Sequence, residues 1–468
     1  MNGLPLPSMP DDTDRPSDYA QVRPADERAV VMHTWTVQAD WNAPTIVGGK
    51  GALFWDDQDN AYIDMSSMAE CSNLGHQHPR VVDAIRQQAA ELCFATSAWG
   101  AKPRAQLAAR LLDLSGFDGG RVFFTLAGAD ANENAVKFAR WATNKPVGKI
   151  ITRYRSYHGA TMGAMELSGD NRGWVYAPGT PNVVHAVPPY CYRCPLGLEY
   201  DACGIRCADH VADLIEWEGP KTVSAVLMEP HAGTNGVVAP PEYWPRLREI
   251  CYRYNILLIA DEVMSGFGRV GHWFAWQQYG DEGRPDMITL AKGLTGAHVP
   301  LGAVVVSRKV AEQFANQMLY TGMTYSGHPL ACAAGLAALD AYRDEDLIAR
   351  SHDLGSRMHS VLRFLEESHP SIGDIRGQGL FAVIEMVRNR RTREPLSPWP
   401  QTAPSLRRLV DDGRKNGVSF AVRGNLIILA PPLNIEQRHL IRAIEVLDKL
   451  LPLCDADAHA TRADVVSE

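Results

Sequence analysis

The sequence predicts an α/β fold: a large domain with a mainly parallel sheet flanked by helices, plus a smaller α+β domain. Three observations predict it. Between Val122 and Ser307, strand-length apolar runs alternate with helical patterns, the order of a parallel sheet covered on both faces. Several of these runs deliver a polar, aromatic or ionisable residue at their C-terminal end, where open α/β sheets bind ligands. After about residue 330 the strict alternation stops, and two helical patterns precede a region of short strands.

Size and charge bound the possibilities. With 468 residues, 46% hydrophobic and 21% charged, the chain can build a large core in two or more units. A net charge of −8 without a basic block argues against nucleic-acid binding. No uncharged apolar run approaches the roughly 18 residues of a membrane span. The stretch Pro10–Pro16 is acidic and proline-bearing, unlike a secretory signal, so residues 1–20 are expected to be a flexible tail and the compartment the cytoplasm.

The elements follow in order. Two apolar stretches between Ile46 and Met65 flank a polar Asp/Asn turn and read as a hairpin. Cys71–Pro79 is a loop whose His76 and His78 read as ordinary loop histidines, and Arg80–Leu92 has a helical period. Val122–Leu126 is a strand that turns at Ala127-Gly-Ala129 into the helical pattern Asn134–Arg140, an arrangement that offers backbone N–H groups to a phosphate. Lys149–Tyr154 is a strand ending before Tyr157-His158-Gly159, and Val223–Met228 is a buried strand delivering Glu229. Tyr243–Tyr254 is helical, Leu257–Ala260 delivers Asp261, Met287–Ala291 delivers Lys292, and Leu301–Ser307 is a further strand. Helical patterns cover Leu330–Tyr342, Leu347–Glu367 and the stretch near Glu436–Leu451, with short strands between Ile372 and Val387 and between Val418 and Ala430.

Nine cysteines, an odd and mostly scattered number, fit reduced thiols better than a disulfide framework. Cys191, Cys194, Cys203 and Cys207 form a C-x2-C-x8-C-x3-C cluster that could close around zinc; free thiols or a redox-labile pair on a Pro/Gly-rich excursion are the alternatives. The chemistry proposed for the sheet edge requires no metal.

The Gly128 turn, Tyr157, Asp261 and Lys292 converge on one sheet edge and define a pocket. A lysine there is either a charge needing a partner or an amine available for a Schiff base. A pyridine-ring cofactor carrying a phosphate suits the set: an amine to hold it, a carboxylate for its protonated ring nitrogen, backbone N–H groups for its phosphate. Val263, two residues after Asp261, projects to the same side if the strand continues.

Six stretches carry a family resemblance: Ala127-Gly-Ala-Asp-Ala-Asn-Glu133, Tyr157-His-Gly159, Glu229-Pro230, Asp261-Glu-Val-Met-Ser-Gly-Phe-Gly-Arg269, Leu290-Ala-Lys-Gly293 and Thr324-Tyr-Ser-Gly-His-Pro329. From about residue 30 to 450 the chain resembles class III aminotransferases, the ω-aminotransferase branch of fold-type I pyridoxal-phosphate enzymes. The resemblance implies a seven-stranded sheet in a large cofactor-binding domain at 76–330. It implies a small domain built from residues 21–75 and 331–455, with a second flexible tail at 456–468. Lys292 resembles the Schiff-base lysine, Asp261 the partner of the ring nitrogen, Tyr157 and Val263 the ring sandwich, and Gly128 and Ala129 the phosphate turn. His158 and Glu229 join the implied cofactor-binding residues. Thr324 resembles a threonine that reaches the phosphate across a homodimer interface. Arg423 resembles a mobile arginine that pairs with a substrate carboxylate. Glu70 and Trp99 complete the implied substrate-binding residues.

Three departures from the family pattern matter. Ala127 and Ala129 lack the usual hydroxyls beside the phosphate, so cofactor affinity is expected to lean on backbone N–H groups and Thr324. Thr234 stands where glutamate-using members often carry a glutamate that parks the arginine, which favours pyruvate over 2-oxoglutarate as acceptor. Glu70 replaces a bulky aromatic, implying a more polar pocket, a salt bridge to another residue, or a solvated loop carboxylate. The expected activity is transfer of an amino group from an amine or ω-amino acid, of taurine or β-alanine type for example, to pyruvate or another 2-oxo acid by a ping-pong mechanism. An aminomutase or racemase of the same fold, and a decarboxylating dialkylglycine-type transaminase, are the alternatives; a non-catalytic binding protein is opposed by the joint presence of Lys292 and Asp261.

Overall fold

A computed structural model of the chain describes residues 27–176 and 179–463, with side chains to 458. The tail expected at 1–20 lies outside the described residues. Of the tail expected at 456–468, residues 464–468 also lie outside, while a helix, Pro452–Ala463, covers the earlier part. No helix among the described residues is long and apolar enough to cross a membrane.

The chain divides into two compact units. In the smaller, which takes the described residues up to Gly48 together with Trp55–Ala61, His33 stacks on Trp41 at 3.6 Å. Its Asp/Asn turn is closed by Asp56, whose Oδ1 accepts the N–H groups of Gln58 and Asn60 at 3.0 and 2.9 Å.

The larger unit holds a seven-stranded sheet in the order Arg121–Thr125, Gly302–Val306, Met287–Leu290, Leu257–Asp261, Val223–Met228, Lys149–Arg153, Val183–Ala186. Gly302–Val306 runs antiparallel to both neighbours and the other pairings are parallel. The central strands read as unbroken apolar runs because both faces are covered. Leu257 and Ile259 join one core cluster with Ala131 and Ala135 of the helix Gly128–Ala142, while Leu258 and Ala260 join another with Leu247 and Ile250 of the helix Tyr243–Arg253.

The C-terminal part forms a smaller antiparallel sheet in the order Ile372–Gln378, Phe381–Asn389, Leu426–Leu429, Ala421–Arg423. The short strand Val418–Ser419 pairs in parallel with Ile63 and Asp64, so distant parts of the chain share one sheet. The helices Pro79–Glu91, Pro329–Asp344, Leu347–Ser368 and Gln437–Leu450 lie within a residue or two of the stretches read from periodicity.

Candidate active site

The site is built at the C-terminal ends of the sheet strands. Leu257–Asp261 is buried throughout and presents Asp261 at its last residue. The carboxylate is held from three directions. Asn132 Nδ2 donates to Oδ2 at 2.8 Å, His158 Nδ1 lies 2.7 Å from the same oxygen, and the Val263 N–H donates to Oδ1 at 3.0 Å. His158 Nε2 lies 3.2 Å from Thr152 Oγ1, so the tautomer with its hydrogen on Nδ1 satisfies both contacts, donating to the carboxylate and accepting from the hydroxyl. Thr289, paired with Asp261 in the sheet register, donates to Asn132 Oδ1 at 2.7 Å and fixes which way that amide faces. A carboxylate has about four lone-pair directions, so this network leaves Asp261 able to accept one more N–H.

Lys292 follows the strand Met287–Leu290 and opens a 3-10 turn, Lys292–Leu294, with a left-handed φ of 35°. Its Nζ donates to Glu70 Oε2 at 2.8 Å. Of the possibilities left for Glu70, the structure selects the salt bridge. Burial lowers the affinity of the Lys292 amine for its proton, but Glu70 foremost, together with Cys71 and Asp261, outweighs this and the net shift is upward.

Gly128 and Ala129 open the helix Gly128–Ala142. Asp130 turns back to accept the N–H groups of Leu126 and Ala127, both at 2.8 Å, which fixes the entry into the helix. The first-turn N–H groups have no intrahelical acceptor and carry the positive end of the helix dipole. Close packing demands glycine at two places: a Cβ on Gly128 would sit 2.9 Å from Val263 Cγ1, and one on Gly159, whose φ is +139°, would sit 2.4 Å from the Ala129 side chain.

These elements enclose a cavity of about 520 Å³ whose lining includes Gly128, Ala129, Tyr157, His158, Glu229, Asp261, Val263 and Lys292. Glu229 accepts from the buried Arg153 at 2.8 Å, and burial pushes its carboxyl above the usual range despite that cation. Val263 reaches the cavity for a different reason than the strand reading supposed. The strand ends at Asp261, and the chain turns there as Asp261 Oδ1 captures the Val263 N–H. The donor set matches a phosphorylated pyridine aldehyde: an amine, a carboxylate with a spare acceptor site, and a helix start with nothing larger than hydrogen at Gly128.

Four expected residues do not line this cavity: Glu70, which meets it only through Lys292, and Arg423, Thr324 and Trp99. Arg423 is partly buried and donates through Nη2 to both oxygens of Asp170, at 2.8 and 3.1 Å. Asp170 also accepts from Arg172 Nε at 2.8 Å and Asn235 Nδ2 at 3.0 Å; burial opposes ionisation, but Arg172 and Arg423 hold its carboxyl below the usual range. Arg423 is therefore not without a carboxylate partner, as Thr234 had suggested, because the chain supplies one from a separate loop. The Arg172 guanidinium also sits 3.7 Å from the centre of the Tyr157 ring. Thr324 and Trp99 are exposed, Trp99 by 73%. Their loops are stapled together by Arg104, which donates to Gly327 O at 2.8 Å and Trp99 O at 2.9 Å.

The four cysteines that suggested zinc or a redox-labile pair lie together. All four thiols line one apolar cavity of about 20 Å³, yet among the described residues no group of three or more metal-ligating side chains is placed to hold an ion. Burial pushes the Cys207 thiol up to about 12, and all nine cysteines are free. His76 and His78 have structural partners, Asp64 at 3.1 Å and Glu345 at 2.8 Å. Two contributors escaped the sequence reading. Asn132 lay visible in the Ala127–Glu133 stretch without a role, and no local signal connects Asp170 to Arg423.

Comparison with known proteins accords with this site. The family described as aminotransferase class-III matches residues 37–451. A leucine/methionine racemase of Thermococcus litoralis is 34% identical over 87% of this chain and 91% of its own. A putrescine–pyruvate aminotransferase of Pseudomonas aeruginosa is 33% identical over 87% of this chain and 90% of its own. The structure of a taurine:2-oxoglutarate aminotransferase from Bifidobacterium kashiwanohense, in complex with PLP and glutamate, superposes with a TM-score of 0.85 at 39% identity, covering 92% of this chain and 97% of that one. With a family match over most of its length, the chain belongs to the class III aminotransferases, pyridoxal-phosphate-dependent enzymes that pass amino groups from an amine donor to an oxo acid acceptor.

Proposed function

We propose that the protein transfers the amino group of an amine or ω-amino acid to a 2-oxo acid in two half-reactions at the Lys292 cavity. The observation that carries this reading is the meeting of the Lys292 amine and the Asp261 carboxylate in that single cavity. Pyridoxal phosphate, when bound, supplies an electron sink for the pair left as the substrate Cα–H bond breaks. Lys292 holds the cofactor and, once substrate displaces it, carries the proton away from and back to the substrate carbon. Asp261 keeps the ring nitrogen protonated by its charge, and Asn132 and His158 hold that carboxylate in place. The first-turn N–H groups at Gly128 and Ala129 bind the phosphate. Tyr157 and Val263 wall the ring, and Glu229 keeps Arg153 paired behind them.

Arg423 is the group for a substrate carboxylate, exchanged against Asp170 when the substrate lacks one. Because Asp170 takes the place of the missing glutamate, Thr234 no longer argues by itself for pyruvate. Pyruvate remains the first acceptor to assay, compared with 2-oxoglutarate in steady state. The active form we propose is a homodimer, with Thr324 reaching the neighbouring site; its exposure, beside Trp99 on a surface carrying exposed Tyr325, supports that reading. Unpaired cysteines throughout support a reducing, cytoplasmic setting.

The test is an incubation of cofactor-loaded protein with an amine panel and pyruvate, read for alanine. Alanine formed by wild type and not by Lys292→Ala is the expected result. The racemase relative favours one second reading, in which the amino group returns to its own substrate; inversion of an amino acid with no alanine formed would replace the transfer reading.

A further inference from the structure

Glu70 reaches Lys292 from a backbone that few sequences adopt. Ser67, Met68, Ala69 and Glu70 have consecutive φ values of 46°, 45°, 66° and 58°, one left-handed turn made without glycine. Such a backbone is strained for residues with a side chain, and strain of this kind persists only where the surroundings over-determine it. They do so here. Ser67 Oγ donates to Ala430 O at 2.6 Å and accepts from Arg269 Nη2 at 3.1 Å, while the same Arg269 nitrogen donates to Asn73 Oδ1 at 2.7 Å. The Glu70 and Cys71 N–H groups close the turn on Ser66 O and Ser67 O, at 2.7 and 2.8 Å. The product of this scaffolding is a buried carboxylate, its side chain 8% exposed, aimed at the ammonium of Lys292.

We propose that Glu70 is the acid–base partner of Lys292, holding that amine as an ammonium whenever it is not engaged with the cofactor and so setting the pH at which the protein takes the cofactor up. The proposal rests on Lys292 being the cofactor lysine. Lys292 is faced by Glu70, Cys71 and Asp261, and Glu70 by Lys292, Arg269 and Arg423; the only direct ion pair of Lys292 among the described residues is with Glu70. The chemistry is explicit. The ammonium must first give its proton to solvent. The neutral nitrogen then bonds to the aldehyde carbon of the cofactor, and the aldehyde oxygen leaves as water. A fixed carboxylate at 2.8 Å opposes the first step, and its removal leaves a lysine whose burial favours the neutral amine.

The experiment follows pyridoxal-phosphate uptake by cofactor-stripped full-length protein, read as growth of the lysine-bound absorbance band across a pH series. Wild type should take up cofactor slowly near neutral pH and faster as pH rises. Glu70→Gln should be on the order of 10-fold faster near neutral pH, with its profile displaced to lower pH by a unit or more. Superimposable profiles, or slower uptake by Glu70→Gln, overturn the proposal. Loss of the band in Lys292→Ala is required by the underlying reading; a band retained there overturns that reading instead. A second measurement needs no Glu70 variant: NMR titration of Lys292 in 13C-methylated cofactor-stripped protein. A midpoint above that of ordinary lysines supports the proposal, and one at or below it overturns it.

Discussion

One guanidinium nitrogen of Arg423 donates to both oxygens of Asp170, at 2.8 and 3.1 Å, across 253 residues of sequence. Burial pulls the Arg423 guanidinium down to about 10 and Asp170 counteracts the loss, so in the proposed role a substrate carboxylate exchanges against this contact. Removing the guanidinium should remove one charge-assisted hydrogen bond to the acceptor, about 1.5–3 kcal/mol. Arg423→Gln is therefore expected to lose roughly 10- to 100-fold in kcat/KM for a 2-oxo acid, with the half-reaction of an uncharged amine little changed. Asp170→Asn should move the other way, lowering KM for the 2-oxo acid. Single-turnover kinetics of the two half-reactions measure both.

Asn132 positions Asp261 and is itself positioned by Thr289. Asn132→Ala should leave the cofactor bound, since the lysine and the helix start are untouched. It should lower kcat about 10-fold through the loss of one hydrogen bond to a buried carboxylate. Cofactor content from absorbance, compared with turnover on the same sample, separates the two effects.

With alanine on both sides of Gly128, phosphate affinity should lean on the neighbouring subunit. Thr324→Ala is expected to weaken cofactor binding by roughly 3- to 10-fold without changing the circular dichroism, because the residue is exposed within its own chain. Equilibrium dialysis of pyridoxal phosphate, with sedimentation to follow assembly, provides the check; unaltered affinity in a dimer would remove the role.

His369 joins the two C-terminal helices to the strand region. Its Nδ1 lies 2.6 Å from Asp455 Oδ2 and its Nε2 2.8 Å from Asp448 Oδ1. Burial lowers its proton affinity, but the two carboxylates outweigh it and the net shift is upward. A raised folded-state value means the stabilisation is full below the unfolded imidazole value, about 6.5, and fades as pH rises through the folded one. His369→Gln should melt a few degrees below wild type at about pH 6 and approach it by about pH 9. Calorimetry across that range tests the sign.

How much of this was legible in the sequence depended on distance along the chain. The central buried strands, many of the helices and the Gly128 turn were readable because apolar periodicity and glycine punctuation are local signals, whereas the helices Lys102–Ser115, Arg206–Glu218 and Pro404–Lys415 were not read. Asp261 and Lys292 were readable because one ends and the other closely follows a strand of the parallel part of the sheet, and parallel strands bring their C-terminal ends to one edge whatever the loops do. Partnerships were not readable. Glu70 with Lys292, Arg423 with Asp170 and His369 with Asp455 span 222, 253 and 86 residues, and nothing in the neighbourhood of either member names the other. Val263 shows the same limit at short range, since an alternation rule predicted its side and a turn captured by Asp261 produced it.

By itself, the sequence determined which residues could do chemistry and on which edge of the sheet they would stand, because strand order and helix starts follow from local pattern. Tertiary structure decided which charges neutralise one another and which remain for a substrate. Pairing energies depend on distances of a few ångströms between segments that only the folded core brings together.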